Sequence, residues 1–292
     1  MTDPALPVVI DSDDLARRLQ NDPPPRVVFV GDEAAFAQAH IPGAGCLDYA
    51  RLNHARPPAP GLLPPMAVLS TALGEAGIEP QRPVVAYDDS GGGRASRLVW
   101  TLNALGHWEA AILDGGLHAW IRSGEATASG GPVQPSTPPY PAELRNPEVV
   151  ADRGYIEAHL DDPAVCILDA RTPAEYSGVD VRAARGGHIP GAINLDWADN
   201  RDPDDGFRLR PTAMLEALYR QHGLTPDKEI ITHCQTHHRS SLSYVVLRHL
   251  GFDHVRGYDG SWSEWGNHPD TPIVTGPEPH PPENTPYNGG AR

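Results

Sequence analysis

The sequence is poor in positive charge. Its 292 residues include 23 lysines and arginines against 38 aspartates and glutamates, which gives a formal net charge of −15 at pH 7. A protein that binds nucleic acid neutralises phosphates with an excess of cations, so this balance argues against a nucleic-acid partner. It argues equally against docking on anionic membranes. The negative net charge does not exclude a small anionic substrate, because a binding site can be locally positive on a protein that is negative overall.

Cysteine is scarce, and long apolar runs are missing. Three cysteines, Cys46, Cys166 and Cys234, do not make the disulfide framework of a small secreted protein, and a free thiol fits a reducing compartment. No apolar run approaches the length of a membrane-spanning helix. The first residues also lack the basic start and apolar core of a secretory signal. We therefore expect a cytoplasmic protein with no membrane partner.

An internal repeat organises the chain. Residues 40–44 read His-Ile-Pro-Gly-Ala, and the same five residues recur at 188–192, an offset of 148. An Asp-Gly turn at 114–115 recurs at 259–260, an offset of 145. Two matched motifs at a nearly constant spacing indicate two copies of one structural unit.

The composition changes between the two copies. Residues 126–147 are rich in proline, glycine, serine and threonine, and such a stretch cannot build a core of its own. We assign a first domain to residues 1–125, a linker to 126–147, a second domain to 148–275 and a proline-rich tail to 276–292. The tail is expected to be mobile or laid over the surface.

Short apolar strands alternate with helices in both copies. Apolar runs predict buried strands at residues 27–30, 84–87, 165–168 and 230–231. A first helix is predicted within residues 8–22, capped near Ser12 or Asp13. Further helices are predicted at residues 65–76, 95–105, 151–160, 215–222 and 240–250. This alternation predicts an α/β fold of two tandem domains, each with a mostly parallel sheet covered by helices on both faces. Ligands of such sheets bind beyond the carboxyl ends of the strands.

The most informative stretch surrounds Cys234. An apolar run leads into this cysteine, a short polar loop follows as far as Arg239, and helical spacing begins at Ser240. A helix start presents unpaired N–H groups and the positive end of the helix dipole, both of which favour an anion. The thiolate is the reactive form of cysteine, and such a position can lower the thiol pKa. The stretch therefore predicts an activated sulfur nucleophile.

These features resemble the rhodanese (thiosulfate sulfurtransferase) family in its tandem two-domain form, over almost the whole chain. The matching residues are the two His-Ile-Pro-Gly-Ala motifs, Asp169-Ala170-Arg171, Glu175-Tyr176, Cys234-x4-Arg239 and the segment 258–262. Only the C-terminal copy usually keeps the cysteine in this family. The offset of 145 places Asp89 opposite Cys234, so the resemblance implies that the first domain is catalytically silent.

The resemblance implies a sulfurtransferase that needs no cofactor. The thiolate of Cys234 would take the outer sulfur of a donor, hold it as a persulfide, and pass it to a nucleophilic acceptor. Thiosulfate is the expected donor, and cyanide or a thiol is the expected acceptor. Two alternatives remain open: 3-mercaptopyruvate as donor, and a persulfide carrier or regulatory module that acts on a protein acceptor. We expect a monomer.

The loop after Cys234 is expected to contact the substrate through Gln235, Thr236, His237 and His238. Its N–H groups would face the sulfur, as the donors of an oxyanion hole face oxygen. The interior matches neither the basic loops of thiosulfate-preferring relatives nor the small-residue loops of mercaptopyruvate-preferring ones. A protonated histidine here would attract an anionic donor and make activity depend on pH near neutrality.

Three arginines are candidates for a role in this site. Arg239 has a counterpart, Arg94, in the silent copy, which favours a role in bracing the loop over direct substrate contact. Arg185 matches an arginine that binds the anionic end of the donor in the family, and Arg182 is near enough in sequence to substitute. A guanidinium suits a sulfonate or carboxylate through paired hydrogen bonds.

Two rival functions are disfavoured. The residues His233, Cys234, His237 and His238 suggest zinc, but no second Cys/His cluster lies nearby in sequence to complete four ligands, so we expect no metal. A phosphatase of the tyrosine-phosphatase type would have five residues between cysteine and arginine, whereas this chain has four.

Several neighbouring motif residues are expected to be structural. These are the motif histidines His40 and His188, the polar pair Asp169 and Arg171, and the core residues Trp262 and Trp265. Cys166 lies inside an apolar strand and is expected to be inert.

Overall fold

The computed structural model describes residues 5–132 and 137–279 and divides the chain into two compact units. The first unit comprises Met1–His54, Leu63–Pro147 and Arg201–Arg210. The second comprises Ala55–Leu62, Glu148–Asn200 and Pro211–Arg292. Each unit is therefore built mainly from one repeat but includes a short segment of the other. We call Ala55–Leu62 the first arm and Arg201–Arg210 the second arm. Sequence reasoning did not anticipate either arm.

The elements of the first half are short. In chain order they are β1 (Val9–Ile10), α1 (Ser12–Arg18), β2 (Arg26–Val30), α2 (Glu33–Gln38), β3 (Gly45–Leu47), β4 (His54–Arg56), β5 (Ala59–Leu62), α3 (Met66–Glu75), β6 (Val84–Tyr87), α4 (Gly93–Ala104), β7 (Ala110–Leu113) and α5 (Gly116–Arg122).

The second half repeats the scheme. Its elements are β8 (Val150–Ala151), α6 (Arg153–Ala158), β9 (Val165–Asp169), α7 (Pro173–Ser177), β10 (Ile193–Asn194), β11 (Arg201–Asp202), β12 (Arg208–Leu209), α8 (Thr212–Gln221), β13 (Glu229–His233), α9 (Arg239–His249), β14 (Val255–Tyr258) and α10 (Ser261–Trp265).

Each unit contains a five-stranded parallel sheet. The strand order is β1-β7-β6-β2-β3 in the first unit and β8-β14-β13-β9-β10 in the second. The two orders match strand for strand, so the predicted repeat and the α/β class with mostly parallel sheets are confirmed. The strands β4 and β5 form a separate two-stranded sheet, and β11 pairs antiparallel with β12.

The middle strand of each sheet is fully enclosed. All four residues of β6 are buried, as are residues 230–233 of β13. Strands buried on both faces carry continuous apolar runs. For this reason the sequence predicted both strands. The helix α9, which follows β13, is buried at residues 240–247, so the connecting loop lies at the carboxyl end of a rigid strand.

The helix predicted within residues 8–22, with its cap near Ser12 or Asp13, is present but shorter than predicted, and it ends at Arg18. Val9 and Ile10 pair with Ile112 and Leu113 of β7, so these residues form a strand, and the helix begins only at Ser12, with Asp11 as its N-cap. Residues 133–136 of the predicted linker and 280–292 of the predicted tail lie outside the described residues.

Within residues 5–132 and 137–279, no helix has the length and apolar character needed to cross a membrane.

Candidate active site

Cys234 follows directly after the last residue of β13 and is almost fully buried, with 1% of its surface exposed. Its carbonyl oxygen accepts a hydrogen bond of 2.9 Å from the N–H of Trp262, and its own N–H donates to the Ser261 hydroxyl at 3.4 Å. The start of α10 thus holds the backbone of the cysteine on one side. The strand end and α10 together fix where the sulfur can point.

The surroundings of Cys234 favour its thiolate. Burial acts to raise the thiol pKa, but the Arg239 guanidinium, the Ser240 hydroxyl and the backbone N–H groups of Ser240 and Thr236 outweigh burial. The net result is a pKa below the ordinary value for cysteine. These donors are the ones expected of an anion-binding loop at a helix start, and they suit a nucleophilic sulfur.

The loop is held in a strained shape by its own side chains. His237 has a φ of 54°, a left-handed conformation that non-glycine residues seldom adopt. Its ring Nδ1 lies 2.8 Å from the Ser240 hydroxyl, and its carbonyl accepts a 2.5 Å bond from the Ser241 hydroxyl. Its side chain is fully buried. His237 therefore shapes the turn from inside the protein.

The other predicted loop residues are partly exposed. The Gln235 side-chain amide donates to the carbonyl of Arg182 at 3.0 Å, and the His238 ring packs 5.8 Å from the ring of Trp197. Thr236 directs its N–H to the sulfur. The structure thus places all four loop residues around Cys234, with His237 buried and Gln235, Thr236 and His238 half-buried.

Arg239 is tied to Glu175 by a paired ion contact. The two guanidinium nitrogens lie 2.6 and 2.8 Å from the two carboxylate oxygens. The Glu175 side chain is 1% exposed; burial would raise its pKa, but the bonds from Arg239 outweigh burial and lower it. Glu175 also completes a capping box with Thr172 at the start of α7. This carboxylate holds the cation that faces the thiolate, a role that sequence reasoning did not assign.

The structure separates the two candidate donor-binding arginines. The Arg185 guanidinium donates to the carbonyl groups of Trp265, His268 and Thr271, so it faces the segment that follows α10. The Arg182 side chain is 53% exposed; its Nε donates to the Asp180 carboxylate at 2.9 Å and also lies 3.6 Å from the Glu175 carboxylate. Arg182 is therefore the one that the structure brings beside the pair of Glu175 and Arg239.

The expected structural roles of the motif residues agree with their surroundings. Asp169 and Arg171 form a buried ion pair at 2.5 Å, and the Arg171 guanidinium lies over the Trp262 ring at 4.3 Å. The His188 ring stacks on Tyr176 at 3.7 Å, and the equivalent His40 stacks on Phe36 at 3.8 Å. Both motif histidines thus pack in the core of their own unit.

The loop after β6 in the first unit holds a carboxylate where the loop after β13 in the second holds the Cys234 sulfur. The Asp88 carboxylate accepts bonds of 2.9 Å from the N–H groups of Ser90, Gly92 and Ala95. The N–H of Leu117 donates to the Asp88 carbonyl, as that of Trp262, 145 residues later, donates to the Cys234 carbonyl. This pattern favours Asp88, rather than the predicted Asp89, as the counterpart of Cys234.

We expect the alkylation of Cys234 to depend on pH differently from that of the other thiols. Burial raises the pKa of Cys46 to about 11 and also raises that of Cys166, whereas the pKa of Cys234 is lowered. The rates at Cys46 and Cys166 should therefore rise about tenfold per pH unit from about pH 6 to about pH 9, while the rate at Cys234 levels off. Iodoacetamide labelling followed by peptide mass spectrometry measures all three. A Cys234 rate that keeps rising like that of Cys46 would contradict the thiolate assignment.

No metal site accompanies this geometry in the described residues. There, no group of three or more histidine, cysteine, aspartate or glutamate side chains is arranged to hold a metal ion. His233 instead places its Nε2 3.6 Å from the Asp169 carboxylate, and burial lowers the pKa of its ring.

Comparison with known proteins finds relatives along most of the chain. Thiosulfate sulfurtransferase of Pseudomonas aeruginosa is 46% identical over 268 residues, which cover 92% of this chain and 97% of that protein. The Azotobacter vinelandii protein of the same name is 45% identical over 271 residues, with 92% and 97% covered. Sulfur carrier protein TtuD of Thermus thermophilus is 32% identical over 289 residues, with 94% and 99% covered.

Solved structures show the same fold at lower identity. The anaerobic ergothioneine biosynthesis enzyme of Chlorobium limicola, with trimethyl histidine bound, has a TM-score of 0.81 at 23% identity, over 92% of this chain and 70% of that one. YnjE has a TM-score of 0.82 at 21% identity, over 92% and 68%. Residues 11–123 and 152–268 each match the rhodanese-like domain family. The chain therefore belongs to the rhodanese family and carries two tandem copies of its domain.

Proposed function

We propose that the protein moves a sulfane sulfur from thiosulfate to a thiophilic acceptor through a persulfide on Cys234. The observation that carries this proposal is the Cys234 sulfur itself, which faces Arg239 and the N–H groups of Thr236 and Ser240. Two relatives at 45–46% identity over most of the chain bear the name thiosulfate sulfurtransferase, which supports the same donor.

The proposed first step is an attack on the donor. The Cys234 thiolate forms a bond to the outer sulfur of thiosulfate, the sulfur–sulfur bond of the donor breaks, and sulfite leaves with the bonding pair. The terminal sulfur of the resulting persulfide carries the negative charge. The N–H groups of Thr236 and Ser240 and the Arg239 cation stabilise that charge as they stabilise the thiolate.

The proposed second step restores the enzyme. A nucleophile such as cyanide bonds to the terminal sulfur, the bond to the cysteine sulfur breaks, and the thiolate returns as thiocyanate departs. The cycle neither consumes an oxidant nor needs a cofactor. The favourable surroundings of the thiolate also make it a good leaving group in this step.

We propose that Arg182 binds the anionic end of the donor, because it is exposed and lies beside the Glu175 and Arg239 pair. Arg182→Ala should raise the KM for thiosulfate several-fold and leave the unfolding temperature nearly unchanged. Arg185→Ala should instead lower the free energy of unfolding by about 2–3 kcal/mol, because three backbone carbonyls lose their charged donor.

Steady-state kinetics and denaturant titration of both variants separate these roles. The expectation from the family resemblance, that Arg185 binds the anionic end of the donor, requires the opposite outcome. In that case the KM would rise in Arg185→Ala, with stability intact, and stay constant in Arg182→Ala.

One relative favours a second candidate function, a persulfide carrier that serves a protein acceptor. The Thermus thermophilus relative at 32% identity is named a sulfur carrier protein. Such a carrier would form the same persulfide on Cys234 but turn over slowly with cyanide and small thiols.

We further propose a cytoplasmic monomer, which the free thiols and the net charge of −15 support.

Intact mass tests the proposed function. The reduced protein is mixed with thiosulfate and then with cyanide, and its mass is read after each step. Thiosulfate should add the mass of one sulfur atom, and cyanide should remove it. If only 3-mercaptopyruvate adds the sulfur, the donor is wrong; if neither donor does so, sulfur transfer is wrong. A sulfur that cyanide removes only slowly would favour the carrier function.

A further inference from the structure

The first arm, Ala55–Leu62, comes from the first repeat but lies in the compact unit that contains Cys234. It includes β5, whose neighbour in a two-stranded sheet is β4. The strand β5 packs against α10, the helix whose first turn bonds to the backbone of Cys234. The arm is therefore part of the surroundings of the catalytic cysteine.

Gly61 of the first arm touches the Cys234 loop itself. A Cβ atom at this position would lie 2.9 Å from the Cβ of Thr236 and still closer to the Thr236 carbonyl oxygen. Non-bonded carbon atoms do not approach so closely in folded proteins. The φ of Gly61 lies outside the left-handed region, so the backbone conformation alone does not demand glycine there. The missing side chain instead allows two backbones to meet.

Thr236 is the residue at which such a contact has chemical consequences. Its N–H is one of the groups that lower the pKa of Cys234, and its carbonyl belongs to the peptide that enters the left-handed turn at His237. A turn in this conformation persists only where neighbouring atoms hold it in place. Gly61 of the first arm contacts Thr236 at the start of this turn, while the Ser240 and Ser241 hydroxyls bond to His237.

The first unit contains a comparable contact. In the second arm, the Arg201 guanidinium donates to the carbonyl of Gly91 at 3.1 Å. Gly91 lies in the loop that follows Asp88, as Thr236 lies in the loop that follows Cys234. Each arm therefore contacts the loop of its own unit. The contact at Thr236 is thus a feature of the repeated architecture.

We propose that Gly61 is a positioning residue for sulfur transfer: the backbone of the first arm holds Thr236 in place and so keeps the N–H groups of the loop aimed at Cys234. The proposal rests on the sulfur transfer proposed above. It also implies that the first repeat, although it lacks a catalytic cysteine, contributes a segment on which the chemistry of the second depends.

Gly61→Ala in the full chain tests this proposal. The added methyl group must displace Thr236, which turns its N–H away from the sulfur. We expect the pH midpoint of Cys234 alkylation by iodoacetamide to rise by about one unit, a tenfold loss of thiolate at lower pH. The kcat for thiosulfate and cyanide should fall about tenfold or more, since small displacements of catalytic groups cost this much.

Gly131→Ala is the matched control, because a Cβ there meets no atom within 4 Å and the backbone is not left-handed. It should leave the pH midpoint and kcat unchanged. Pro60→Gly loosens the arm at an exposed position and should shift the midpoint in the same direction by a smaller amount. If Gly61→Ala fails to fold, the midpoint of Pro60→Gly decides whether the first arm positions Thr236.

Unchanged midpoints in folded Gly61→Ala and Pro60→Gly would overturn the positioning role. A lowered unfolding temperature without a change in the pH midpoint would show that Gly61 matters only for stability, which also overturns it. The alkylation readout needs no sulfur donor. If the wild type takes up no sulfur, but the pH midpoint of Cys234 alkylation is higher in Gly61→Ala than in the wild type, sulfur transfer is refuted. The positioning of Thr236 by Gly61 would then still be established.

Discussion

Cys234→Ser is expected to abolish sulfur uptake and to reduce thiocyanate formation to the uncatalysed background. A serine hydroxyl is not ionised near neutral pH, and it cannot form a persulfide. The surrounding donors, which lower the pKa of the native thiol, would then face a neutral group. Intact mass after thiosulfate, together with colorimetric assay of thiocyanate, measures both effects. Turnover retained in this variant would place the chemistry elsewhere.

The other two thiols supply controls for this variant. Cys46→Ser and Cys166→Ser should each keep the mass gain and the turnover of the wild type, because the pKa of each thiol is raised and neither adjoins the loop. A folded Cys46→Ser or Cys166→Ser protein without activity would show that a second thiol takes part. Near-ultraviolet circular dichroism of each variant verifies the fold.

Glu175→Ala is expected to lower the free energy of unfolding by about 3–5 kcal/mol. The carboxylate is 1% exposed and bonds to both terminal nitrogens of Arg239, whose side chain is only 16% exposed. Truncation leaves that guanidinium largely buried without its paired carboxylate, and it also removes half of the capping box of α7. Denaturant titration followed by tryptophan fluorescence measures the change.

Glu157→Ala is the control for the loss of one carboxylate. Glu157 pairs with Arg153 on the surface of α6 with 37% of its side chain exposed, and such pairs contribute less than about 1 kcal/mol. Its removal should therefore leave the denaturation midpoint nearly unchanged. A Glu175→Ala protein as stable as Glu157→Ala would show that Arg239 finds another partner, and the bracing role of the pair would have to be abandoned.

The sequence by itself determined the repeat and the fold class, and it singled out Cys234 as the candidate nucleophile. The two His-Ile-Pro-Gly-Ala motifs and the buried runs before Asp88 and Cys234 are local patterns, and strands enclosed on both faces show them without interruption. The loop donors Thr236 and Ser240 also follow from local order, because a strand–loop–helix connection turns its N–H groups inward.

Only the tertiary structure decided which distant groups meet this loop. Glu175 lies 64 positions before Arg239, and Gly61 lies far from Thr236 in the other repeat, so no spacing rule connects either pair. The orientation of Arg185 toward residues 265–271, and of Arg182 toward Glu175, likewise depends on packing. A local sequence pattern reveals which residues form a strand or a helix. Contacts between these elements depend instead on how all of them bury their apolar surfaces together.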